Sequence, residues 1–412
     1  MERIHKLFLE AMAAALKDQT VSWGAEVSAD DLARIITLAQ EHHVLPMIFE
    51  VIYTSKAASA MDPDFFQELR RITIHSVMGQ AVKTEEFLEL YSQLRSDGVK
   101  PLVVKGIICR NLYPRPDYRT SGDEDVLCGE VGFEACHKAM TAFGMKACSA
   151  SLDSYEVPYY KEAGNLYIEL HKSLFATQSD IFGDCNHFFD SIFDHAVEVE
   201  IQGVAVATPE WSEHLLYLIL HAFKHFLHSG FGIRQVCDMV LFAHAYGDRV
   251  DWPLVLSRCR GLRADKFAAT LFAIGEKYLG FSPEQAHYPH SWQVLAADPE
   301  PLLEDLLCGG IYGSADRNRV HSSNITLGAV AADKKGKRSR GTVWHSIFPP
   351  LYALKNRYLW LSRHVWLLPI AWLCRIFSYL WETIRRPAGS AAEVLHTGSK
   401  RVELLRTYDI ID

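Results

Sequence analysis

The sequence predicts an α+β fold, with a small mixed sheet and flanking helices placed between N-terminal and C-terminal helical regions. Apolar residues recur at helical spacing over residues 1–98. Residues 99–207 instead contain short apolar or alternating segments separated by turn residues, a pattern typical of strands. Helical spacing returns over 208–330. A basic linker follows at 331–342, and an aromatic-rich helical tail occupies 343–412.

Composition narrows the class of protein. A chain of 412 residues is long enough for two or three compact units. Its formal net charge of −8 argues against a duplex nucleic acid partner, which requires a basic surface. The nine cysteines are scattered without a C-x-x-C pair, which predicts reduced thiols in a cytoplasmic protein. No long apolar segment follows the charged N-terminus, so no signal peptide is predicted.

The N-terminal region is predicted to be structural and carries no recognisable chemistry. Its first helix is indicated by the spacing of Ile4, Phe8 and Met12. A second helix is predicted over Ala29–His42, with Ser28 as its N-cap. A longer helix of mixed polarity is predicted over Phe65–Leu94.

An acidic pair in the segment Ser121–Leu127 is the main candidate site. Asp123 and Asp125 lie two positions apart, so in an extended strand both carboxylates point to the same face. Two close carboxylates repel each other, and a divalent ion such as Mg²⁺ removes that repulsion. A turn with two solvated acids is the alternative.

The segment before this pair predicts a phosphate-binding turn. Pro101–Val104 is a short apolar strand, Lys105 and Gly106 follow it, and Ile107–Leu112 has helical character. Glycine at a strand-to-helix turn lets the backbone approach a phosphate, and a helix N-terminus offers free N–H groups to an anion.

A third acidic position is predicted on a neighbouring strand. Leu166–His171 alternates between apolar and polar residues, so Glu169 and His171 share one face. We expect that face to be the one that carries the aspartate pair. An amphipathic strand with a solvated glutamate is the alternative.

A strand, a glycine turn, a helix and a second strand with Asp-x-Asp together resemble the nucleotidyltransferase superfamily related to DNA polymerase β. One bacterial branch of this superfamily is resembled more closely, through the residues Lys105-Gly106, Leu112-Tyr113-Pro114, Arg119 and Gly122-Asp123-x-Asp125. That branch is an uncharacterised nucleotidyltransferase family, often found near polysaccharide and peptide-modification genes. Its usual residue between the aspartates is Leu or Ile, whereas this chain has Glu124.

The resemblance implies a nucleotidyltransferase sheet and transfer of an NMP group from an NTP, with release of pyrophosphate. Asp123, Asp125 and Glu169 would bind Mg²⁺, with Mn²⁺ as a substitute, and Glu169 or His171 would take the acceptor's proton. The nucleotide- and phosphate-binding residues would be Lys105, Gly106, Arg119, Gly122, Lys224 and Arg234.

The sequence leaves other functions open. The acceptor can be a sugar phosphate, a peptide or a protein. A catalytically degenerate nucleotide-binding protein, a membrane-surface scaffold of a polysaccharide or peptide-modification pathway, and a phosphotransferase are the rival hypotheses. For Lys224 and Arg234, the alternative is that both are ordinary surface cations.

The remainder of the α/β unit is predicted from periodicity. Strands are expected at Met145–Ala150, Tyr155–Tyr160 and Ala196–Val206, with a helix at Phe133–Phe143. The aromatic segment Asp180–Phe193 is expected to form a lid or a wall of the pocket.

A histidine-rich helix is predicted after Thr208-Pro209-Glu210, which is typical of an N-cap with proline at the first helical position. It carries a stripe of His214, His221, His225 and His228. The stripe lacks the glutamate of the H-E-x-x-H zinc motif, so zinc is not predicted. The histidines are expected to be buried, to face a partner or to face the active cleft.

The C-terminal part combines basic and apolar segments. Asp333–Gly341 is basic, and Val365–Cys374 is apolar but ends at Arg375. A membrane-spanning helix needs about 20 apolar residues, so no span is predicted. Core packing or self-association is expected, with peripheral contact at the inner membrane face as the alternative.

Overall fold

The computed structural model describes residues 1–310 except 149–151, 163, 180 and 229. Beyond that it describes 325–331, 333, 348, 351, 354, 358–362, 364–375 and 391–412. Most of the predicted basic linker and large parts of the tail therefore lie outside the described residues.

The N-terminal region is helical, and it contains the three predicted helices and a further short one that was not predicted. They are α1 (Arg3–Ala15), α2 (Ala29–Glu41), α3 (Leu45–Ile52) and α4 (Pro63–Ser96). Ser28 caps α2 in a reciprocal capping box with Asp31, which confirms the predicted start of this helix.

The α/β unit contains a five-stranded mixed sheet, which confirms the predicted fold class. Its strands are β1 (Leu102–Val104), β2 (Glu124–Leu127), β3 (Lys146–Ala147), β4 (Glu156–Tyr160) and β5 (Tyr167–His171). The spatial order is β1-β2-β5-β4-β3, and only the pair β2–β5 is parallel. Two helices, α5 (Gly106–Arg110) and α6 (Gly129–Ala142), follow β1 and β2.

The predicted single strand Ala196–Val206 is wrong. The structure has a hairpin of β6 (Val197–Ile201) and β7 (Val204–Thr208). Gln202 and Gly203 join the strands with φ values of 49° and 82°, the left-handed conformation that a tight two-residue turn requires.

Further helices include α7 (Trp211–His228), α8 (Ile233–Tyr246), α9 (Trp252–Gly261), α10 (Asp265–Ile274), α11 (His290–Leu295), α12 (Pro299–Gly309) and α13 (Ala391–Thr407). The predicted cap of α7 is wrong, because Thr208 ends β7 and the helix starts at Trp211. Glu210 caps it instead, accepting hydrogen bonds from the N–H groups of Ser212 and Glu213.

The two faces of the sheet pack differently. Alternate residues such as Val126 and Leu170 pack on α4 and α6 in one apolar cluster. Asp125 and His171 alternate with them and therefore lie on the opposite face, toward α7. The strand periodicity thus places the acidic residues between the sheet and the histidine-rich helix.

Part of the aromatic tail packs on itself. Leu354, Leu361 and Ala371 form a small buried cluster that is separate from the two larger cores. Within the described ranges, no helix is long and apolar enough to cross a membrane.

Candidate active site

The turn between β1 and α5 is built around Glu124. Lys105 and Gly106 have positive φ values of 54° and 33°, and a Cβ at Gly106 would collide with the Glu124 carboxylate. The Ile107 N–H donates to Glu124 Oε2 at 2.7 Å. Glycine at this position therefore permits the close approach of the protein's own carboxylate, which lies at the N-terminus of α5.

This arrangement differs from the predicted phosphate-binding turn. The Ile107 N–H is already paired with Glu124, and Gly106 is buried and does not line the pocket. The structure therefore does not bring Gly106 to the candidate site.

Glu124 itself is a structural residue. Arg110 Nη2 donates to Glu124 Oε1 at 2.7 Å, and both side chains are almost completely buried. Arg110 Nη1 also donates to Ser121 Oγ at 2.8 Å. The resembling branch has an apolar residue at the position of Glu124. In this chain the buried ion pair instead holds residues 121–123, here called the aspartate loop, against α5.

The acidic cluster lies on the adjacent parallel strands β2 and β5. Asp125 is aligned with Glu169, and His171 lies two residues further along β5. Potential ligand atoms of Asp125, Glu169 and His171 all lie within 4.8 Å of one another. Asp123 lines the same pocket. The pocket thus brings together all four residues, three from β2 and β5 and Asp123 from the position just before β2.

A lysine from the β1–α5 turn reaches into this cluster. Lys105 Nζ lies 2.9 Å from Asp125 Oδ2 and 2.9 Å from His221 Nε2. On its other side, Asp125 Oδ1 lies 3.1 Å from His171 Nε2. Asp125 is therefore held between a cation and an imidazole.

The pKa values of the three carboxylates in the cluster are shifted in different directions. Burial acts to raise the pKa of Asp125, but Lys105 and His171 outweigh it and lower the pKa well below its ordinary value. Burial, and then the neighbouring Asp125 charge, raise the pKa of Asp123. Burial and the two aspartates raise the pKa of Glu169 to about 7. The pocket favours a bound cation that would let all three ionise.

The donor set fits a divalent metal ion. Carboxylate oxygens from Asp123, Asp125 and Glu169 suit Mg²⁺ and Mn²⁺. The imidazole of His171 adds a nitrogen donor, and its Nδ1 has no hydrogen-bond partner among the described residues. These residues would hold the ion, and the ion would supply charge neutralisation at a phosphate oxygen.

The pocket has a volume of about 220 Å³ and combines acidic, basic and aromatic residues from both sides of the cleft. Its lining consists of Lys105, Asp123, Asp125, Glu156, Glu169, His171, Leu174, Tyr217, His221, Lys224 and His225. Glu156 and Tyr217 were not predicted. The alternation of β4 could have indicated Glu156, which is aligned with His171.

The histidine stripe divides into two parts. His221 and His225 line the pocket, and their Nε2 atoms are 3.1 Å apart. Burial holds the pKa of both well below the ordinary value, so both are neutral at pH 7. His214 is buried and accepts the Lys105 backbone N–H at 3.1 Å, whereas His228 lies outside the pocket.

Three of the predicted phosphate ligands do not line the pocket. Arg119 is buried and pairs with Asp238 at 2.5 Å, so the structure does not bring it to the pocket. Arg234 donates to the Thr120 carbonyl. Gly122 does not line the pocket, and its carbonyl accepts from Lys83 at 3.0 Å.

Helix α4 supports the aspartate loop, a role that the sequence did not reveal. Gln80 Oε1 accepts the Ser121 N–H at 2.8 Å, and Lys83 donates to the carbonyls of Ser121 and Gly122. Both side chains are buried. They fix the backbone immediately before Asp123.

A small mixed sheet that presents carboxylates from two adjacent strands to a lysine-containing pocket has the architecture of a nucleotidyltransferase. Residues 28–280, more than half of the chain, match the family described as uncharacterised nucleotidyltransferase, and the chain belongs to this family. No curated protein and no solved structure matches the chain. Family membership makes the protein a transferase with a nucleotide substrate, and such enzymes generally use divalent metals.

Proposed function

We propose that the protein transfers a nucleoside monophosphate from an NTP to a hydroxyl group of an acceptor. The acceptor oxygen forms a bond to the α-phosphorus, and the bond between the α-phosphorus and the bridging oxygen to the β-phosphorus breaks. Pyrophosphate leaves with that oxygen, and the hydroxyl proton passes to a base of the pocket.

The observation that carries this proposal is the convergence of Asp125, Glu169 and His171 within 4.8 Å on neighbouring strands. Asp123 shares their pocket. Carboxylates in this arrangement would hold Mg²⁺ or Mn²⁺ for Lewis-acid chemistry at the α-phosphate.

Glu169 is the residue proposed to accept the proton. Without a bound cation, burial and the two aspartates raise its pKa to about 7, and a carboxylate within hydrogen-bond reach of the acceptor hydroxyl would serve as a general base. His171 lies 4.0 Å from Glu169 Oε2 and 3.1 Å from Asp125 Oδ1, so its proposed role is to position both carboxylates.

Lys105 is the proposed partner of the leaving pyrophosphate. Its ammonium already lies in the pocket on Asp125, and it would stabilise negative charge that develops on the phosphates. Arg234 and Lys83 also add positive charge close to Asp123.

The test is a thermal shift of the protein with ATP, GTP, CTP or UTP plus Mg²⁺. A ligand at about 100 times its Kd adds about 2.7 kcal/mol to the stability of the folded state. We expect a metal-dependent shift with one NTP that is absent from an Asp123→Asn/Asp125→Asn variant and present in the control Asp248→Asn, an exposed aspartate. Absence of a shift with every NTP would contradict the proposal.

Turnover separates the proposed enzyme from its rivals. Pyrophosphate release from the NTP that binds supports nucleotidyl transfer, whereas release of NDP supports a phosphotransferase. Metal-dependent binding without either product, with a sugar phosphate, peptide or protein supplied, supports a degenerate nucleotide-binding protein.

We also propose that the tail contacts the inner face of the membrane, with the protein on the cytoplasmic side. Trp366, Ile370 and Leu373 are 76%, 49% and 55% exposed, and the basic segment Asp333–Gly341 precedes them in the sequence. Exposed apolar side chains together with basic residues favour anionic lipid surfaces. Flotation with anionic vesicles tests this, and equal flotation of a Trp366→Ser/Ile370→Ser/Leu373→Ser variant would contradict it.

A further inference from the structure

The side chain of Lys224 is a cation in the pocket wall with little compensation. Its ammonium donates one hydrogen bond, to Tyr155 Oη at 3.2 Å, and lies 5.7 Å from the centre of the same ring. No carboxylate of the described residues lies within 4.0 Å of Lys224 Nζ. An ammonium has three donors, so this group has capacity for an anionic partner.

Lys224 contacts the residue that precedes β4, whereas the aspartate loop leads into β2. Tyr155 directly precedes β4, and β5 lies between β4 and the Asp125 strand. Lys105, in contrast, contacts Asp125 directly. The pocket therefore has one lysine near each end.

The distribution of charge distinguishes these two ends. Near Asp123, positive charge is contributed by Lys105 and Arg234 in addition to Lys83. Near Lys224, the strongest charged neighbour is Glu156, followed by Lys105 and Glu169. The cationic end suits a polyphosphate, whereas the Lys224 end suits a group with a single charged position.

We propose that Lys224 forms an anion subsite for the acceptor, and that the acceptor carries a phosphate monoester or a carboxylate close to its reactive hydroxyl. This inference rests on the proposed nucleotidyl transfer. In an in-line displacement, the attacking and leaving oxygens lie on opposite sides of the α-phosphorus. With pyrophosphate at Lys105, the acceptor enters from the side of Lys224.

The environment of Lys224 is consistent with this role. Burial lowers its pKa, and Glu156 only partly opposes that effect. An anion bound at the ammonium would stabilise its charged form. The adjacent Tyr155 hydroxyl is a second polar group for the same ligand, and Glu156 disfavours anions placed further along β4.

The experiment measures binding of small anions by calorimetry in the presence of Mg²⁺. The probes are glycerol 3-phosphate for a phosphate monoester and glycerate for a carboxylate, with glycerol as the neutral control. We expect one anion to bind wild type, at least tenfold weaker binding to Lys224→Met, and partial rescue in Lys224→Arg. The thermal shift with Mg²⁺ and NTP should be unchanged in both variants.

Equal affinity of the anion for wild type and Lys224→Met would overturn the subsite, as would failure of both anions to bind a wild-type protein that binds NTP. Loss of the NTP shift in Lys224→Met, with folding verified by urea denaturation, would instead assign Lys224 to the nucleotide. If wild type binds an anion through Lys224 but no NTP, the proposed transfer fails and the anion subsite stands.

Discussion

Replacing Glu124 with leucine should destabilise the fold strongly, although leucine is usual at this position in the resembling branch. The substitution leaves the Arg110 guanidinium, which is 1% exposed, without its carboxylate partner. It also removes the acceptor of the Ile107 N–H. Removal of one partner from a buried ion pair costs about 3–5 kcal/mol, and the unpaired N–H costs about 1–3 kcal/mol more. We therefore expect a loss of at least about 4 kcal/mol.

Urea denaturation followed by tryptophan fluorescence measures this loss. The matched control is Glu134→Leu, the same substitution at an exposed position of α6, which should change stability by no more than about 0.5 kcal/mol. An Arg110→Met/Glu124→Leu double variant should recover much of the loss, because no uncompensated charge stays buried. A Glu124→Leu variant within about 1 kcal/mol of wild type would refute the structural role of this pair.

Further predictions concern the pocket and its surroundings. The pKa of Glu169 is raised from 4.5 to about 7 in the folded protein, so wild type should lose stability relative to Glu169→Gln as pH rises from 5 to 8 in chelator. The shift corresponds to about 3 kcal/mol, and a difference that does not change with pH would contradict it. Arg119→Met should cost about 3–5 kcal/mol in urea denaturation, because the buried Asp238 carboxylate loses its ion-pair partner and keeps the hydrogen bond from Tyr113; the remaining folded protein should keep its NTP shift. Lys105→Gln should bind Mn²⁺ more tightly in a calorimetric titration, because its ammonium competes for Asp125, yet show slower turnover; weaker Mn²⁺ binding would oppose this assignment.

The sequence predicted those features that follow from strand periodicity. The alternation of Leu166–His171 identified β5 and the face carrying Glu169 and His171. The spacing of Asp123 and Asp125 predicted that both acids share one side, and both line the pocket, although Asp123 lies just before β2. These predictions succeeded because the orientation of a side chain in a strand depends on its position alone.

Contacts between distant segments could not be predicted in the same way. The partner of Arg119 is Asp238, which lies 119 residues away in sequence. That Arg119 pairs with Asp238 and does not line the pocket therefore depends on tertiary packing. Glu124 was an unexplained departure until Arg110 and the N-terminus of α5 supplied its partners. The sequence also does not show that α7 faces the start of β4, a contact that brings Lys224 to Tyr155.

The central claim is that Asp123, Asp125 and Glu169 bind a divalent cation together with a nucleotide. Electron paramagnetic resonance of Mn²⁺ measures this most directly, with wild type and the Asp125→Asn variant titrated in the presence of each NTP. We predict protein-bound Mn²⁺ in wild type, increased by one NTP and lost in the variant. Equal Mn²⁺ binding by the two proteins with every NTP would contradict it.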